Sequence, residues 1–180
     1  SLEDRVREVV ERSERDLRRS TDEIRRVVEE AEKALRRLVR EVEEVVREVK
    51  ERLERVVREG RVDRETVRRV IEDIERALDE VRETVRKIIE DLRKILEDVR
   101  RHSERVIREN RKLLEAARNG DEDTVRKVIE DSDRSLEENK RLVKKVIDEI
   151  KERLKEMKKR AEEIIERLKK LLEEVEERAR

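Results

Sequence analysis

The sequence contains no cysteine, proline, phenylalanine, tyrosine or tryptophan, and it has only two glycines and one histidine. Without cysteine the chain forms neither disulfides nor zinc–thiolate sites. Proline and glycine, the residues that most often interrupt helices, are almost missing. No apolar run approaches the roughly 18 residues that a membrane span needs, and the aromatic anchors of lipid-surface helices are lacking. These absences leave long, uninterrupted helices as the expected structure.

Charged residues make up 58% of the chain, with 52 Lys and Arg against 52 Asp and Glu, so the formal net charge is zero. Both signs are interspersed, and there is no basic stripe along which nucleic-acid phosphates would bind. High charge with little hydrophobicity is also typical of disorder, but the regular apolar spacing described below favours helices. We therefore expect no nucleic-acid partner and no membrane partner.

The two glycines divide the chain into three predicted helices. Gly60, in the stretch EGRVDRETV, suits the left-handed position after a helix, and Asp63 can cap the next helix. Gly120 and Asp121, in the stretch RNGDEDTV, have the same two roles. The predicted helices cover about residues 2–59, 64–118 and 122–179, with loops at 60–63 and 119–121.

Apolar residues recur every 18 residues within each helix. Examples are Val6, Ile24 and Val42, then Val70, Ile88 and Val106, then Val128, Val146 and Ile164. Eighteen residues make five turns at about 3.6 residues per turn, so the apolar stripe stays on one face without supercoiling. We predict an all-α fold: an up-down-up antiparallel three-helix bundle of long, nearly straight helices that forms a single domain over residues 1–180.

Polar residues replace apolar ones at a few positions of this repeat. Asn110 occupies the site of Ile74 and Leu92, and His102 lies at the edge of the stripe. Ser103 likewise occupies a site that elsewhere holds valine. With their polar neighbours the set is Ser13, Ser20, Thr21, His102, Ser103, Asn110, Ser132, Ser135 and Asn139.

These polar residues are predicted to meet at two levels of the bundle. The loop positions imply that facing residue numbers sum to about 122–123 between helices 1 and 2 and about 240–241 between helices 2 and 3. The first level then holds Ser13, Asn110 and Ser132. The second level holds Ser20, Thr21, His102, Ser103 and Asn139, with Ser135 between the two. Because buried polar groups are costly unless paired, we expect two buried or half-buried hydrogen-bond layers that specify helix register.

Chemical sites are not indicated by these residues. One histidine, no cysteine and no acidic residue in the layers do not make a metal site. A pair formed by His102 with Ser20 or Ser103 would lack an acidic orienter and an oxyanion site. We therefore expect no catalytic, cofactor-binding or metal-binding residues, no cofactor and no enzyme activity.

The whole chain resembles a de novo designed, parametrically generated helical bundle. The resemblance rests on the loop residues Gly60, Asp63, Gly120 and Asp121, the 18-residue stripes and the Ser/Asn/His layers. It implies an idealised, hyperstable scaffold with no natural biochemical function, soluble in the cytoplasm of an expression host and requiring no partner. The alternative is a component of a designed oligomer, formed by self-association, or an interaction module that accepts a designed partner helix.

Overall fold

Three long helices account for almost the whole chain in the computed structural model, which describes residues 1–180. Helix α1 spans Leu2–Arg58, α2 spans Arg64–Ala117 and α3 spans Glu122–Arg178. There are no strands, so the all-α class predicted from the sequence is confirmed. Each helix ends one residue earlier than predicted, because the next residue already belongs to the turn that follows.

Helix α1 runs antiparallel to α2. Ser13 hydrogen-bonds with Asn110, whereas Thr21, further along α1, hydrogen-bonds with Ser103, which precedes Asn110 on α2. Residue numbers therefore rise on one helix while they fall on the other. The observed pairs agree with the predicted facing numbers to within two residues.

Helix α3 runs parallel to α1. Ser20 hydrogen-bonds with Asn139, and Arg52 forms an ion pair with Glu176, so the residue numbers rise together on these two helices. Helix α3 is therefore antiparallel to α2. The up-down-up order of a three-helix bundle is confirmed.

The chain forms two compact units, each of which contains a segment of every helix. We call residues 1–30 and 91–151 the polar unit, and residues 31–90 and 152–180 the aliphatic unit. The single domain predicted over residues 1–180 and the straight course of its helices stay predictions.

The interior of the aliphatic unit is entirely apolar. Its most deeply buried side chains are large aliphatic residues spaced according to the 18-residue rule: Leu35, Val42, Leu53, Ile74, Val81 and Leu168. Met157, the only sulfur-containing residue, is also buried. Each fully buried aliphatic side chain of this size contributes about 1.5–3 kcal/mol relative to an exposed one. The regular stripe thus supplies the main stabilising term of this unit.

The interior of the polar unit combines aliphatic and polar side chains. Next to the loop between α2 and α3, an aliphatic cluster is formed by Val6, Val10, Ala117, Val125 and Val128. Six buried polar residues lie elsewhere in the unit: Ser13, Thr21, Ser103, Asn110, Ser132 and Asn139. All buried polar residues of the chain belong to this unit, although it is built from the same three helices as the aliphatic unit.

Gly60 ends α1 in the manner predicted. Its φ angle is +69°, in the left-handed region that costs a side-chain-bearing residue free energy. The Gly60 amide donates to the carbonyl of Val57 over 3.0 Å, and the Arg61 amide donates to the carbonyl of Val56 over 3.4 Å. This pair of bonds is a Schellman motif, which satisfies carbonyls that the helix end would leave without donors.

Gly120 does not have the left-handed conformation predicted for it, because Gly60 is the only glycine with positive φ. The Gly120 amide instead donates to the Ala117 carbonyl over 3.2 Å, which continues α2 as a tight turn. A Cβ atom at Gly120 would lie 3.2 Å from Cγ2 of Thr124. Glycine is favoured here by close approach of the next helix rather than by its φ angle.

The predicted helix caps differ in their outcome. The Thr124 amide donates to Oδ1 of Asp121 over 2.8 Å, so Asp121 caps α3 as predicted. Hydrogen bonds from the Thr124 side chain and backbone hold the pKa of the Asp121 carboxyl below its ordinary value. Asp63 precedes α2, but only its backbone carbonyl takes part, accepting the Val67 amide over 3.3 Å. The prediction of a side-chain cap at Asp63 is wrong, since this exposed carboxylate stays in solvent.

Candidate functional site

The first predicted level contains a buried hydrogen bond between α1 and α2. Nδ2 of Asn110 donates to Oγ of Ser13 over 3.0 Å, and the two residues are 5% and 1% exposed. The equivalent repeat positions of Asn110 hold Ile74 and Leu92, which are both buried and aliphatic. Asn110 therefore lies in the interior because its helix position requires it, and it is accommodated by its bond to Ser13.

A charged cluster lies directly beside this buried pair. Oε1 of Glu14 accepts hydrogen bonds from Arg18 on the same helix over 3.0 Å and from Arg111 on α2 over 2.7 Å. Hydrogen bonding from Arg18, supported by Arg111, holds the pKa of the Glu14 carboxyl below its ordinary value. Sequence reasoning missed this cluster, although the register that pairs Ser13 with Asn110 also brings the following residues, Glu14 and Arg111, together.

Ser132 of α3 lies in the interior without a hydrogen-bond partner. The residue is 1% exposed, and its Oγ is the one buried side-chain polar atom of the chain that no other group contacts as donor or acceptor. The parallel register of α1 and α3 that pairs Ser20 with Asn139 also brings Ser132 level with Ser13. Its predicted participation in the first hydrogen-bond layer is wrong, because the hydrogen bond at this level joins Asn110 to Ser13 and the Ser132 hydroxyl has no partner.

The second predicted level contains a hydroxyl pair between α1 and α2. Oγ1 of Thr21 and Oγ of Ser103 are 2.9 Å apart, and Oγ1 of Thr21 also donates to the carbonyl of Leu17 over 3.0 Å. Since a hydroxyl has one hydrogen, Ser103 must be the donor to Thr21. Both hydroxyls are buried, and both hydroxyl hydrogens are used inside the protein.

A separate pair at this level joins α1 to α3. Nδ2 of Asn139 donates to Oγ of Ser20 over 3.2 Å, and Ser20 is half-buried. Ser20 and Thr21 are adjacent in sequence, and successive residues of a helix point about 100° apart. Because of this angle, Ser20 faces α3 while Thr21 faces α2. The second level is thus two pairs at two interfaces.

Two residues assigned to the polar layers take no part in them. His102 is exposed and forms no hydrogen bond. Its neighbour Ser103 points inward, so the imidazole points about 100° away and keeps both ring nitrogens hydrated at no burial cost. Ser135 is half-buried and likewise forms no side-chain hydrogen bond. The assignment of both residues to hydrogen-bond layers is therefore wrong.

Ion pairs between helices also join the aliphatic unit. Nζ of Lys50 lies 2.7 Å from a carboxylate oxygen of Glu75, and Arg160 pairs with Glu80. These residues lie at the edges of the apolar stripe, where long side chains reach a neighbouring helix. These ion pairs could have been predicted from the sequence, because the register that brings the buried residues of two helices level also brings these charged neighbours level.

No group of three or more His, Cys, Asp or Glu side chains is placed to hold a metal ion. No helix is both long and apolar enough to cross a membrane. The polar side chains buried in the interior of the polar unit are neutral ones, those of Ser, Thr and Asn.

No family model, no curated protein and no solved structure matches the chain.

Proposed function

We propose that the chain is a de novo designed, monomeric structural scaffold, without enzyme activity or cofactor, whose interior polar residues specify how its helices pair. The observation that carries the proposal is the set of three interhelical hydrogen bonds, Asn110 to Ser13, Ser103 to Thr21 and Asn139 to Ser20. In each, at least one partner occupies a repeat position that is aliphatic elsewhere in its helix. The absence of any detectable relative is in keeping with a sequence of designed origin.

The physical basis of the proposal is that an apolar stripe alone is a weak specifier of register. Hydrophobic contacts are non-directional, so stripes that repeat every 18 residues tolerate more than one alignment. A buried donor left without its acceptor costs about 1–3 kcal/mol. Three pairs that meet only in one alignment therefore penalise the others, and they do so at a cost in stability to the unit that contains them.

The proposal is tested by replacing the polar residues with those of the equivalent repeat positions. Thr21→Val and Ser103→Val remove the hydroxyl pair, and Ser13→Ala with Asn110→Leu removes the amide pair. The chain lacks cysteine, so one cysteine introduced on α1 and one on α2 can each carry a spin label at a unique position. The distance between the two labels then reports the register of the two helices. We expect the parent chain to give one narrow distance distribution and the apolar variant a broader or divided one.

A matched control separates register from general perturbation. Val49→Ala and Leu92→Ile exchange core side chains for those of repeat-equivalent positions and leave every polar pair in place. This control should keep the narrow distribution of the parent. The proposal fails if the distance distribution of the apolar variant is as narrow as that of the control, because the polar pairs would then contribute nothing to register.

A second function, an interaction module that takes up a further helix or a second copy, is favoured by a specific feature of α3. Leu142 is 48% exposed, the most exposed large aliphatic side chain in the chain, and it belongs to the same unit as the unpaired Ser132. Sedimentation equilibrium distinguishes the two functions. A mass of 21.9 kDa supports the scaffold, whereas a multiple of it that Leu142→Glu returns to the monomer supports the module.

A further inference from the structure

A groove of 460 Å³ lies along α1 and α2 in the polar unit, above the Thr21–Ser103 hydroxyl pair. We call it the arginine groove. Its basic residues are Arg18, Arg25, Arg100, Arg108 and Arg111, and its acidic residues are Asp22 and Glu104. The groove therefore carries three more positive than negative side chains, in a chain whose formal net charge is zero.

Three other grooves on the same protein have no such excess. The groove lined mainly by residues 40–54 contains four basic and four acidic side chains. The grooves lined by residues 54–75 and by residues 163–173 contain three of each. The excess of positive side chains is thus confined, among these four grooves, to the arginine groove.

The guanidinium groups of the arginine groove are only partly neutralised. Arg18 and Arg111 share the single carboxylate of Glu14. Arg25 pairs with Asp22 over 3.3 Å, and Arg100 pairs with Glu97 over 2.8 Å. Glu14 and Glu97 are not among the residues that line the groove, and together with Asp22 and Glu104 they give four carboxylates for the five guanidinium groups. Arg108 forms no ion pair, although Glu104 precedes it by one helical turn. The side chains of Arg18, Arg25, Arg100 and Arg111 are each about half exposed or more, and exposed ion pairs contribute little to stability. An anion of higher charge can therefore replace their carboxylate partners.

The floor of the arginine groove favours recognition by the arginines alone. Thr21 donates its hydroxyl hydrogen to the Leu17 carbonyl and Ser103 donates its hydroxyl hydrogen to Thr21, so neither has a hydrogen left for a ligand. Guanidinium groups bind phosphate oxygens through paired, charge-assisted hydrogen bonds. A single phosphate reaches few of the five arginines, whereas a short chain of phosphates reaches several at once.

We propose that the arginine groove is a binding site for a small oligophosphate, of the size of inorganic triphosphate, held by Arg100, Arg108 and the arginines around them. A volume of 460 Å³ is within the range of about 300–1,000 Å³ found for small-molecule sites. The inference does not depend on the proposed scaffold function, because it concerns surface charge rather than helix register.

The test is a calorimetric titration of the intact protein with inorganic triphosphate at about 20 mM salt, where charge screening is weak. We expect saturable one-to-one binding, weaker binding of orthophosphate by about tenfold or more, and a steep loss of affinity at about 200 mM salt. Arg100→Gln with Arg108→Gln should weaken triphosphate binding by about tenfold, because two of the five guanidinium groups are lost.

A matched pair of substitutions controls for overall charge. Arg47→Gln with Arg82→Gln removes two arginines from a charge-balanced groove and gives the same net charge as the first variant. We expect this control to change affinity by less than about twofold, and Asp22→Asn with Glu104→Gln to increase it. The proposal is overturned if triphosphate gives no saturation, if orthophosphate binds as tightly, or if the two arginine pairs differ by less than about threefold.

Discussion

At the scale of the residue, Ser13 and Ser132 lie at the same level of the polar unit and have opposite surroundings. Both are 1% exposed, but Ser13 accepts a hydrogen bond from Asn110 whereas the Ser132 hydroxyl has no partner. A buried hydroxyl that is unpaired costs the free energy of its lost hydration. The same substitution should therefore have opposite effects at the two positions.

We predict that Ser132→Ala raises the free energy of unfolding by about 1 kcal/mol and that Ser13→Ala lowers it by about 1 kcal/mol. Alanine at residue 132 removes an unpaired group and has higher helix propensity. Alanine at residue 13 leaves the Asn110 amide buried without its acceptor. Guanidinium chloride unfolding of the two variants measures both values. A loss of stability in Ser132→Ala would mean that its hydroxyl has a partner.

Glu14 provides a pH-dependent term at the same scale. Its pKa is lowered in the folded protein by hydrogen bonding from Arg18 and Arg111, so the charged form stabilises the fold. This contribution is complete above the ordinary value of 4.5, and it is lost as the pH falls through the lowered pKa of the folded state.

We therefore predict that Glu14→Gln lowers the free energy of unfolding at pH 7 by up to about 1 kcal/mol, and that the difference disappears in acid. The measurement is the denaturant midpoint of parent and variant at pH values from 7 down to below the lowered pKa of Glu14. The two midpoints should differ at pH 7 and become equal in acid. Glu44→Gln, which removes a single contact of 3.8 Å to Arg47, is the control and should change the midpoint little. Parallel curves for parent and Glu14→Gln would contradict the prediction.

The individual polar pairs were predictable only in part. The 18-residue repeat predicted that Asn110 and Ser103 lie in the interior. The sums of facing residue numbers predicted that Asn110 lies level with Ser13 and Ser103 level with Thr21. The exposure of His102 and the isolation of Ser132 depend on which way a side chain points and on which acceptor a donor selects. These are differences of about one hydrogen bond, which a pattern of apolar spacing does not contain.

At the scale of the element, the two loops look alike in sequence and differ in conformation. Both have a glycine followed by an aspartate, but only Gly60 has positive φ, and only Asp121 caps with its side chain. The reason is loop length, since five residues separate α1 from α2 and four separate α2 from α3. The shorter loop continues α2 as a tight turn, which a sequence motif of glycine and aspartate does not distinguish.

We predict that Gly60→Ala lowers the free energy of unfolding by about 1–2 kcal/mol, because a Cβ atom is disfavoured at a φ angle of +69°. Gly60→Asn should lower the free energy of unfolding by less than Gly60→Ala, because asparagine adopts the left-handed conformation more readily than alanine. Gly120→Ala should also lose less than Gly60→Ala, since it requires only a small shift of the Thr124 side chain. Thermal unfolding of the three variants gives the order, and equal losses at both glycines would contradict the assigned conformations.

The helices themselves were the most predictable elements. Their ends fall within one residue of prediction because glycine, aspartate and the interruption of the apolar stripe coincide at each loop. Their directions followed from the short loops alone. No competing pattern exists in a chain without proline or aromatic residues.

At the scale of the whole molecule, the two units differ in what fills their interiors. The aliphatic unit buries only apolar side chains, whereas the polar unit buries six polar residues. Hydrogen bonds between neutral groups give a net stabilisation of about 0.5–1.5 kcal/mol each, less than a buried leucine or isoleucine in the same place. The polar unit should therefore have the lower local free energy of opening.

We predict that backbone amides of α1 exchange with deuterium faster over residues 13–21 than over residues 35–53. Both segments belong to one continuous helix and lie away from its ends, so fraying does not account for a difference. Mass spectrometry of exchanged peptides measures the rates. Thr21→Val with Ser103→Val should slow exchange in the first segment, and equal rates in both segments of the parent chain would contradict the prediction.

The single methionine makes the opening of the aliphatic unit detectable by oxidation. Met157 is 3% exposed and carries the only sulfur in the protein, so peroxide reaches that sulfur only while the interior is open. The sulfoxide that forms is polar, and its surroundings contain no buried polar residue to receive it. Each molecule therefore gains one oxygen atom at Met157 when its interior opens to peroxide, and the intact mass measures the fraction of molecules that have done so.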